Sequence, residues 1–484
     1  MIYLFDNKSI AQSDGLHLAP GQIEKLGPVL EPASDEGAHA GDFAGSIVDL
    51  GDNTYRMYYT RMGELGPRIA VAESNDGIHW QRPVYGFNDK PGVGANEINI
   101  SGLPDDVTGY CQGQVFRLAE TGWRMYFWAH GRRIRCVIAE SEDGIRWHIS
   151  DFNHPVLCHT SEFGDWGVSQ GKVVGCDDAR KLAERGITAC SPMNLKALRS
   201  NDATYVYADP ETGGYEMYSV WLLPNPEGSD RHVDKDNAPN VLRTIHRRTS
   251  SDGLTFSDPE IVIVPDAADP LDLQFYYLSV HKQDGWRFGF LGRYPCASQT
   301  MDIELCFSTD GVSWKRPLRL PWLTRGSDDD CDSKMVIAPN RLLDAGDYWL
   351  MLYQGTNRTH DWWSSPKSED SGRMIVCAAR FLKNRFAGLS TDNNQAGRLL
   401  TKPFIPAGKV LQLDANISGK LSAELCDLFG KPLPGYDKSC FDPVSGESTG
   451  HVLSWKGHSL DEFCYDAITL RLEMQDAQIY AIHW

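Results

Sequence analysis

The chain has 484 residues, of which 41% are hydrophobic and 23% charged, a composition that is ordinary for a globular protein and excludes global disorder. The formal net charge is −18 and no run of Lys and Arg occurs, which argues against nucleic acid or an anionic membrane surface as the main partner. No apolar run approaches the roughly 18 residues that a membrane-spanning helix needs. The sequence predicts a protein that binds neither nucleic acid nor membrane, and it leaves the oligomeric state unknown.

The N-terminus and the cysteines bear on the cellular compartment. Residues 1–8 lack a basic segment followed by a sustained apolar one, so no signal peptide is predicted. The 12 cysteines are scattered without Cys-x-x-Cys pairs. That pattern is typical of buried free thiols rather than of disulfides or a zinc site. We therefore expect a cytoplasmic protein without a cofactor.

A turn motif recurs four times along the chain. Each copy has an apolar run, a Ser or Thr, an Asp-Gly pair, one aliphatic residue and an aromatic residue two places later. The carboxylate of the Asp accepts hydrogen bonds from nearby backbone amides, and the Gly supplies the positive φ of a tight turn. We therefore interpret the four aspartates as scaffold, and the copies span residues 72–80, 139–147, 249–256 and 307–314.

A second pattern precedes each turn and adds a fifth unit. It consists of an apolar strand, a short turn and a strand rich in Tyr, Trp and Met. Four antiparallel strands repeated radially form the blades of a propeller. The sequence therefore predicts an all-β, five-bladed β-propeller over residues 1–395. The spacing of the copies also predicts an insertion at about 151–200, and such segments often cover or line a site.

The pattern changes after the fifth unit. Short alternating segments separated by Gly and Pro turns occur at residues 410–414, 420–425 and 468–474. Such segments are typical of sandwich strands. We therefore predict a C-terminal β-sandwich over residues 396–484.

The five units, the Ser-x-Asp-Gly-x-x-Trp turns and the segment Leu453–Gly457 together resemble the five-bladed propeller glycoside hydrolases of families 32, 43 and 68. The resemblance covers nearly the whole chain. It implies carboxylates at the starts of innermost strands, acting as nucleophile or base, transition-state stabiliser and general acid. The motifs Asn-Asp-Pro-Asn-Gly, Arg-Asp-Pro and Glu-Cys of invertase-like members are missing, so the resemblance does not extend to a classical fructosidase.

Three aspartates stand where such carboxylates are expected. Asp42 and Asp202 precede the first strands of the first and third units, where a buried charge is costly without a purpose or a partner. Asp272 precedes the fourth unit and is the candidate acid. Cleavage of a glycosidic bond needs one group to protonate the leaving oxygen and another to attack or to activate water. For each aspartate, the alternative is a structural role in a loop.

Polar, basic and aromatic side chains complete the candidate pocket. Arg can bond hydroxyls or an anionic substituent in a fixed fork, although each group alone is more often engaged at the surface or between blades. The predicted substrate-binding residues are Gln274, Tyr276, His281, Arg293, Arg358 and His360, with His246, Arg247 and Arg248 nearby. The acidic run 328–332 is interpreted as a solvated loop, with a structural calcium site as the alternative.

Three functions remain open at this stage. The leading hypothesis is an enzyme that hydrolyses a small glycoside, with furanosides as candidates, by carboxylate acid/base chemistry in the propeller centre. A glycoside phosphorylase with an Arg/His phosphate site is the second. The third is a propeller without catalytic activity that binds carbohydrate or protein.

Overall fold

The computed structural model of the chain describes residues 1–32, 41–63, 66–87, 95–118, 122–149, 151–159, 199–200, 202–209, 212–224, 230–231, 241–360, 374–392, 394–460, 463 and 466–484. Within these ranges the regular structure is β, apart from one 3-10 turn at Asn7–Ser9. No helix among the described residues has the length and hydropathy that a membrane crossing would require. The insertion predicted at 151–200 lies mostly outside this description.

Five groups of antiparallel strands follow one another in chain order. The first blade contains β5 Gly41–Gly51, β6 Thr54–Gly63 and β7 Gly66–Ser74. The second contains β9 Val107–Arg117, β10 Trp123–Gly131, β11 Arg135–Ser141, β12 Arg146–His148 and β13 Leu157–His159, with the short strands β8 Asn99–Ser101 and β14 Arg199–Ser200 at its edges. The third contains β15 Thr204–Ala208, β16 Tyr215–Pro224, β17 Val241–Ser250 and β18 Glu260–Ile263.

The last two blades complete the ring. The fourth contains β19 Leu273–Gln283, β20 Trp286–Pro295, β21 Asp302–Ser308 and β22 Pro321–Leu323. The fifth contains β23 Met335–Ile337, β24 Leu342–Ala345, β25 Tyr348–Thr356, β26 Met374–Leu382 and the N-terminal strand β4 Glu24–Leu30. The predicted all-β, five-bladed propeller is therefore confirmed.

Ring closure joins the two ends of the propeller. Strand β4 from the N-terminal part of the chain pairs with β26 as the outermost strand of the fifth blade. Strand β26 also meets the first blade through one parallel pair, Met374 with Gly41. The first Asp-Gly turn packs against this blade, because a Cβ at Gly77 would meet the side chains of Leu350 and Leu343.

The Asp-Gly turns form the scaffold contacts that the sequence predicts. In the first copy, the backbone amides of Asp76 and Gly77 donate to Ser74 Oγ, at 3.2 and 2.9 Å. The Asp76 carboxylate accepts from the amide of Ile78 at 2.8 Å, and Trp80 Nε1 donates to the Gly77 carbonyl at 2.9 Å. Gly77 has φ of 75°, which disfavours a side chain there. The carboxylate contacts recur at Asp143, Asp252 and Asp310.

Buried tyrosines connect one blade to the turn of the next. The Tyr58 hydroxyl of β6 donates to the Gly144 carbonyl at 2.9 Å. The Tyr126 hydroxyl of β10 donates to the Gly253 carbonyl at 2.6 Å. Both tyrosines are fully buried, so the second and third repeat motifs serve as docking points for the preceding blade.

The remaining strands form a separate compact unit made of Met1–Glu24, Gly346–Trp349 and Arg380–Trp484, whereas Lys25–Ala345 and Leu350–Ala379 form the propeller unit. The strands of the unit that contains both chain ends belong to one hydrogen-bonded sheet: β1 Ile2–Tyr3, β2 Ile10–Asp14, β3 Leu16–Pro20, β27 Ala387–Thr391, β28 Ala396–Thr401, β29 Leu411–Cys426, β30 Gly446–Leu453 and β31 Thr469–His483. Trp455 is fully buried in its core and donates from Nε1 to the Ala423 carbonyl.

We predicted a domain boundary at residue 395 and a C-terminal β-sandwich, and both stay predictions. The compact units change over at Arg380, ahead of the predicted boundary, and the N-terminal strands join the C-terminal unit. Pairing of β2 with β28 and of β3 with β27 produces this arrangement.

Candidate functional site

All five blades contribute to a small cavity on the propeller axis. Its volume is about 20 Å³, enough for one water molecule. The side chains that line the cavity are neutral, which favours water over a charged ligand. The lining residues are Gly45, Thr60, Gln112, Gln114, Thr204, Tyr205, Tyr277, Ile337 and Gln354.

Irregular pairing of the inner strands supplies part of this lining. The register shifts between Phe43 and Ser46 in the first blade, between Cys111 and Gln114 in the second, and between Phe275 and Leu278 in the fourth. Such bulges re-aim side chains and are common beside active sites. They carry no clear sequence signal, so Gln112 and Tyr277 were not predicted as axial residues.

Asp202 lies two residues before the innermost strand of the third blade. Part of the residue reaches the surface, but its Oδ1 atom is buried and has no hydrogen-bond partner among the described residues. Burial raises the pKa of Asp202 to about 7, against the opposing effects of the Ala203 amide and the positive charge of Arg243. This carboxyl group can therefore hold a proton near neutral pH.

The backbone at Asp202 is strained. Asp202 and Ala203 have φ of 47° and 25°, values that cost a residue with a side chain on the order of 1–2 kcal/mol. The Asp202 carbonyl accepts hydrogen bonds from Thr204 Oγ1 at 2.6 Å and from Ser200 Oγ at 3.3 Å. Two hydroxyls thus hold the segment that presents this carboxyl group.

A buried arginine of the third blade contacts the fourth blade, and its positive charge acts on Asp202. Arg243 donates from Nη1 to Gln274 Oε1 at 2.9 Å, and its guanidinium lies over the rings of Tyr276 and Tyr294 at 5.3 and 5.1 Å. Gln274 Nε2 donates to the Val241 carbonyl. The predicted binding residue Gln274 is therefore occupied in an inter-blade contact. Arg243 was not among the residues predicted from the sequence, although it lies in the same strand as His246, Arg247 and Arg248.

Two of the predicted binding residues do meet at this end of the propeller. His360 Nε2 and the Tyr276 hydroxyl lie 3.1 Å apart, and the His360 amide donates to the Gln299 carbonyl. Arg358 lies nearby in the chain after β25, where its amide donates to Thr356 Oγ1. Tyr276 is buried and His360 half-buried, so this pair lies at the edge of the protein interior.

The other two candidate carboxylates are less completely defined. Asp42 lies in β5 with its Cα paired to that of Arg61, and its side chain lies outside the described residues. Asp272 is half-buried directly before β19, and its carbonyl accepts from the Cys296 amide at 2.9 Å. Both precede or begin an innermost strand, as Asp202 does, so their roles stay predictions.

His281 is separated from the cluster around Asp202, whereas Arg293 is the neighbour of Tyr294 in β20. His281 lies eight residues after Leu273 near the far end of β19, where burial lowers its pKa to about 4. At roughly 3.3 Å per residue, His281 lies more than about 20 Å along the strand from Leu273. Arg293 Nε lies 3.5 Å from a carboxylate oxygen of the fully buried Glu304. The structure does not bring His281 to the group formed by Asp202, Arg243 and Tyr276, and the Arg293 side chain contacts Glu304.

The remaining polar groups that we singled out have protein partners. His246 contacts Thr244, Arg247 pairs with Glu216, and Arg248 donates to Ser219. In the acidic run, Lys334 pairs with Asp328 and Lys25 with Asp332. Among the described residues, no group of three or more His, Cys, Asp or Glu side chains could hold a metal ion. The calcium site stays an untested prediction.

Comparison with known proteins gives limited matches. No family model matches the sequence. An uncharacterized protein of Mycobacterium tuberculosis strain H37Rv and its counterpart in strain CDC 1551 are each 32% identical over 101 residues. That match spans 19% of this chain and 29% of each relative, well under two thirds of their length.

Several solved structures are similar to the chain. A glycoside hydrolase is 11% identical, with a TM-score of 0.49 over 74% of this chain and 92% of the other. An alpha-L-arabinofuranosidase from Podospora anserina is 13% identical, with a TM-score of 0.43 over 75% and 96%. A beta-1,2-mannobiose phosphorylase from Listeria innocua is 11% identical, with a TM-score of 0.44 over 75% and 97%. Likenesses at this level carry no argument about activity.

Proposed function

We propose that the protein is an enzyme that hydrolyses a small glycoside, with furanosides as candidates, at the end of the propeller where Asp202 lies. The observation that carries the proposal is the buried carboxyl group of Asp202, whose pKa burial raises to about 7. A general acid must be protonated at the working pH and must lose its proton readily, and a pKa near neutrality meets both needs. Asp202 is therefore the proton donor to the leaving oxygen, the role for which the sequence made Asp272 the candidate.

A second carboxylate attacks the sugar or activates water. Asp42 and Asp272 are the candidates, because each stands at the start of an innermost strand in another blade. The distance between this carboxylate and Asp202 with substrate bound decides the stereochemical outcome at the sugar. A separation of about 5–5.5 Å gives retention of configuration, and one of about 6.5–9.5 Å gives inversion. His360 and Tyr276 are placed to bond sugar hydroxyls.

Burial of an oxygen without a described partner and strain in the backbone both destabilise the fold at Asp202. These features favour a functional role for Asp202 over a structural one. A loop-capping aspartate normally accepts backbone hydrogen bonds, as Asp76 does. The Ala203 amide bonds the carboxyl group of Asp202, but its buried Oδ1 atom has no described partner and its backbone is strained. Unfavourable features of this kind persist where function requires them.

Activity against a panel of aryl and natural glycosides tests the proposal. We expect Asp202→Asn to lower kcat by about 10²–10⁴-fold, the usual contribution of general acid catalysis. Asp76→Asn, which alters an exposed turn carboxylate, is the matched control and keeps the activity. The wild-type rate should fall as pH rises above about 7, because the acid loses its proton. Absence of turnover for every glycoside, or full activity of Asp202→Asn, contradicts the proposal.

Two alternatives each have one supporting observation. The cluster of Arg243, His360 and Tyr276 favours a phosphorylase, in which a basic site holds phosphate; strict dependence of turnover on phosphate would select it. The neutral lining of the axial cavity, which has no carboxylate among the described residues, favours a propeller without catalysis. Calorimetric binding of a glycoside without any turnover would select that function.

A cytoplasmic location is also part of the proposal. All nine cysteines that the structure describes have free thiols, as expected for a reducing compartment.

A further inference from the structure

Two cysteines of the fifth blade lie with their thiols in contact. The Sγ atoms of Cys331 and Cys377 are 3.6 Å apart. Cys331 precedes the innermost strand β23, whereas Cys377 lies in β26. Strand β25 runs between β23 and β26 in the sheet, so the loop that carries Cys331 must cross β25 to reach Cys377.

A glycine in β25 makes this crossing feasible. A Cβ at Gly355 would lie 2.7 Å from the Asp332 Cβ and 3.2 Å from Cys377 Sγ. The first distance is too short for any side chain, because both atoms belong to tightly held parts of the chain. The absence of a side chain at Gly355 thus allows the loop to rest on the strand and the two thiols to meet.

The residue next to Cys331 anchors the loop. Asp332 is buried, and its Oδ2 atom accepts hydrogen bonds from Lys25 Nζ at 2.6 Å and from the Tyr353 hydroxyl at 2.8 Å. Tyr353 belongs to β25 itself. Cys331 is therefore held against the blade rather than swinging freely in a surface loop.

The two thiols differ in exposure. Cys331 is half-buried, whereas Cys377 is fully buried. The hydrogen bond from the Cys377 thiol lowers the pKa of Cys331, which favours the thiolate, the reactive form of cysteine. An accessible attacking sulfur beside a buried second sulfur is the arrangement of a thiol pair that an oxidant can couple.

We propose that Cys331 and Cys377 are an oxidation site that forms a reversible intramolecular disulfide with a peroxide as oxidant. The Cys331 thiolate attacks one oxygen of hydrogen peroxide, the O–O bond breaks, and a sulfenic acid forms while the departing hydroxide takes up a proton to become water. The Cys377 sulfur then attacks the Cys331 sulfur, the S–O bond breaks, and the second water leaves with the Cys377 proton. Two thiols are oxidised, one peroxide is reduced, and a dithiol such as dithiothreitol reverses the reaction.

The bond would fasten one end of an innermost strand to the outer part of its blade. A disulfide requires the sulfurs to approach to about 2.05 Å, which the loop can provide because Cys331 is not in a strand. The cysteines are 46 residues apart in sequence, so the bond also restricts the unfolded chain. Oxidation should therefore raise the midpoint of thermal unfolding.

Peptide mapping of the full chain tests the proposal. Purified reduced protein is treated with hydrogen peroxide, its remaining thiols are alkylated, and its peptides are identified by mass spectrometry without reduction. We expect one cross-linked peptide pair joining Cys331 to Cys377, formed in most molecules and released by dithiothreitol. Cys331→Ser and Cys377→Ser should each abolish it, whereas Cys440→Ser, at another half-buried cysteine, should leave it unchanged.

Two outcomes would overturn the proposal. One is conversion of Cys331 to a sulfinic or sulfonic acid in the wild type without a cross-link. The other is an equal yield of links between Cys331 and cysteines other than Cys377. The unfolding midpoint is an independent readout, expected to rise on oxidation of the wild type and to stay unchanged for Cys377→Ser; an equal rise in that variant also counts against the disulfide.

Discussion

At the residue scale, the carboxyl group of Asp202 makes stability depend on pH. Because burial raises its pKa from 3.8 to about 7, the folded protein binds a proton that the unfolded chain has lost between these two pH values. The free energy of unfolding therefore falls as pH rises through this window. At higher pH the folded state carries the full cost of the charge, which is at most about 4 kcal/mol.

The variant Asp202→Asn should remove this dependence. Urea unfolding of the wild type and the variant, measured between about pH 4 and pH 7, should give a difference in unfolding free energy that grows in favour of the variant as pH rises. Parallel pH profiles for the two proteins would show that the carboxyl group of Asp202 ionises as freely in the folded protein as in the unfolded chain.

The turn aspartates behave in the opposite sense. Backbone hydrogen bonds from Thr255 and Leu254 lower the pKa of Asp252, so its stabilising effect is present at neutral pH and is lost as pH falls into the acid range. We expect Asp252→Ala to cost about 1 kcal/mol of unfolding free energy, as for a lost helix cap, and to leave enzymatic activity unchanged. Loss of activity without loss of stability would assign Asp252 a role beyond the scaffold.

At the element scale, the tyrosine contacts between neighbouring blades should be measurable. Tyr58→Phe and Tyr126→Phe each remove a buried hydrogen bond to a turn carbonyl and leave that carbonyl without its partner. Each variant should lose about 1–2 kcal/mol of unfolding free energy. Tyr55→Phe in β6 is the control, since its exposed hydroxyl contacts the Asp344 carbonyl only at 3.4 Å and its loss should change little. Equal effects at Tyr55 and Tyr58 would contradict this explanation.

The bulges are the elements that set the shape of the site. In the second blade, Gln112 has φ of 55°, and its amide donates to Thr60 Oγ1 of the first blade. A strand that continued in regular alternation would turn different side chains toward the axis. The lining of the axial cavity therefore depends on pairing between neighbouring strands, which repeat spacing does not reveal.

At the scale of the whole propeller, ring closure depends on β4. Lys25 of this strand bonds the buried Asp332 of the fifth blade at 2.6 Å. Lys25→Met leaves the Asp332 carboxylate without its cation and should cost on the order of 2 kcal/mol. The double variant Lys25→Met with Asp332→Asn removes the uncompensated charge and should recover part of the loss. If the double variant were less stable than Lys25→Met, the ion pair would not be the cause.

The sequence by itself determined the architecture of the propeller. Local chemistry decides a tight turn, since Ser74, Asp76 and Gly77 make their contacts with one another and their neighbours. Four visible copies and one partial unit were therefore enough to count five blades. The same reasoning led to Asp202 as a site residue, because its position ahead of a strand could be read directly.

Only the tertiary structure decided what surrounds that residue. The burial of Asp202, the contacts of Arg243 with Gln274 and Tyr276, and the separation of His281 from that group depend on how strands far apart in sequence pack. Turn motifs can be recognised in the sequence because neighbouring residues stabilise each of them. The pKa of a site residue instead depends on burial and on nearby charges, which come from residues far apart in the chain.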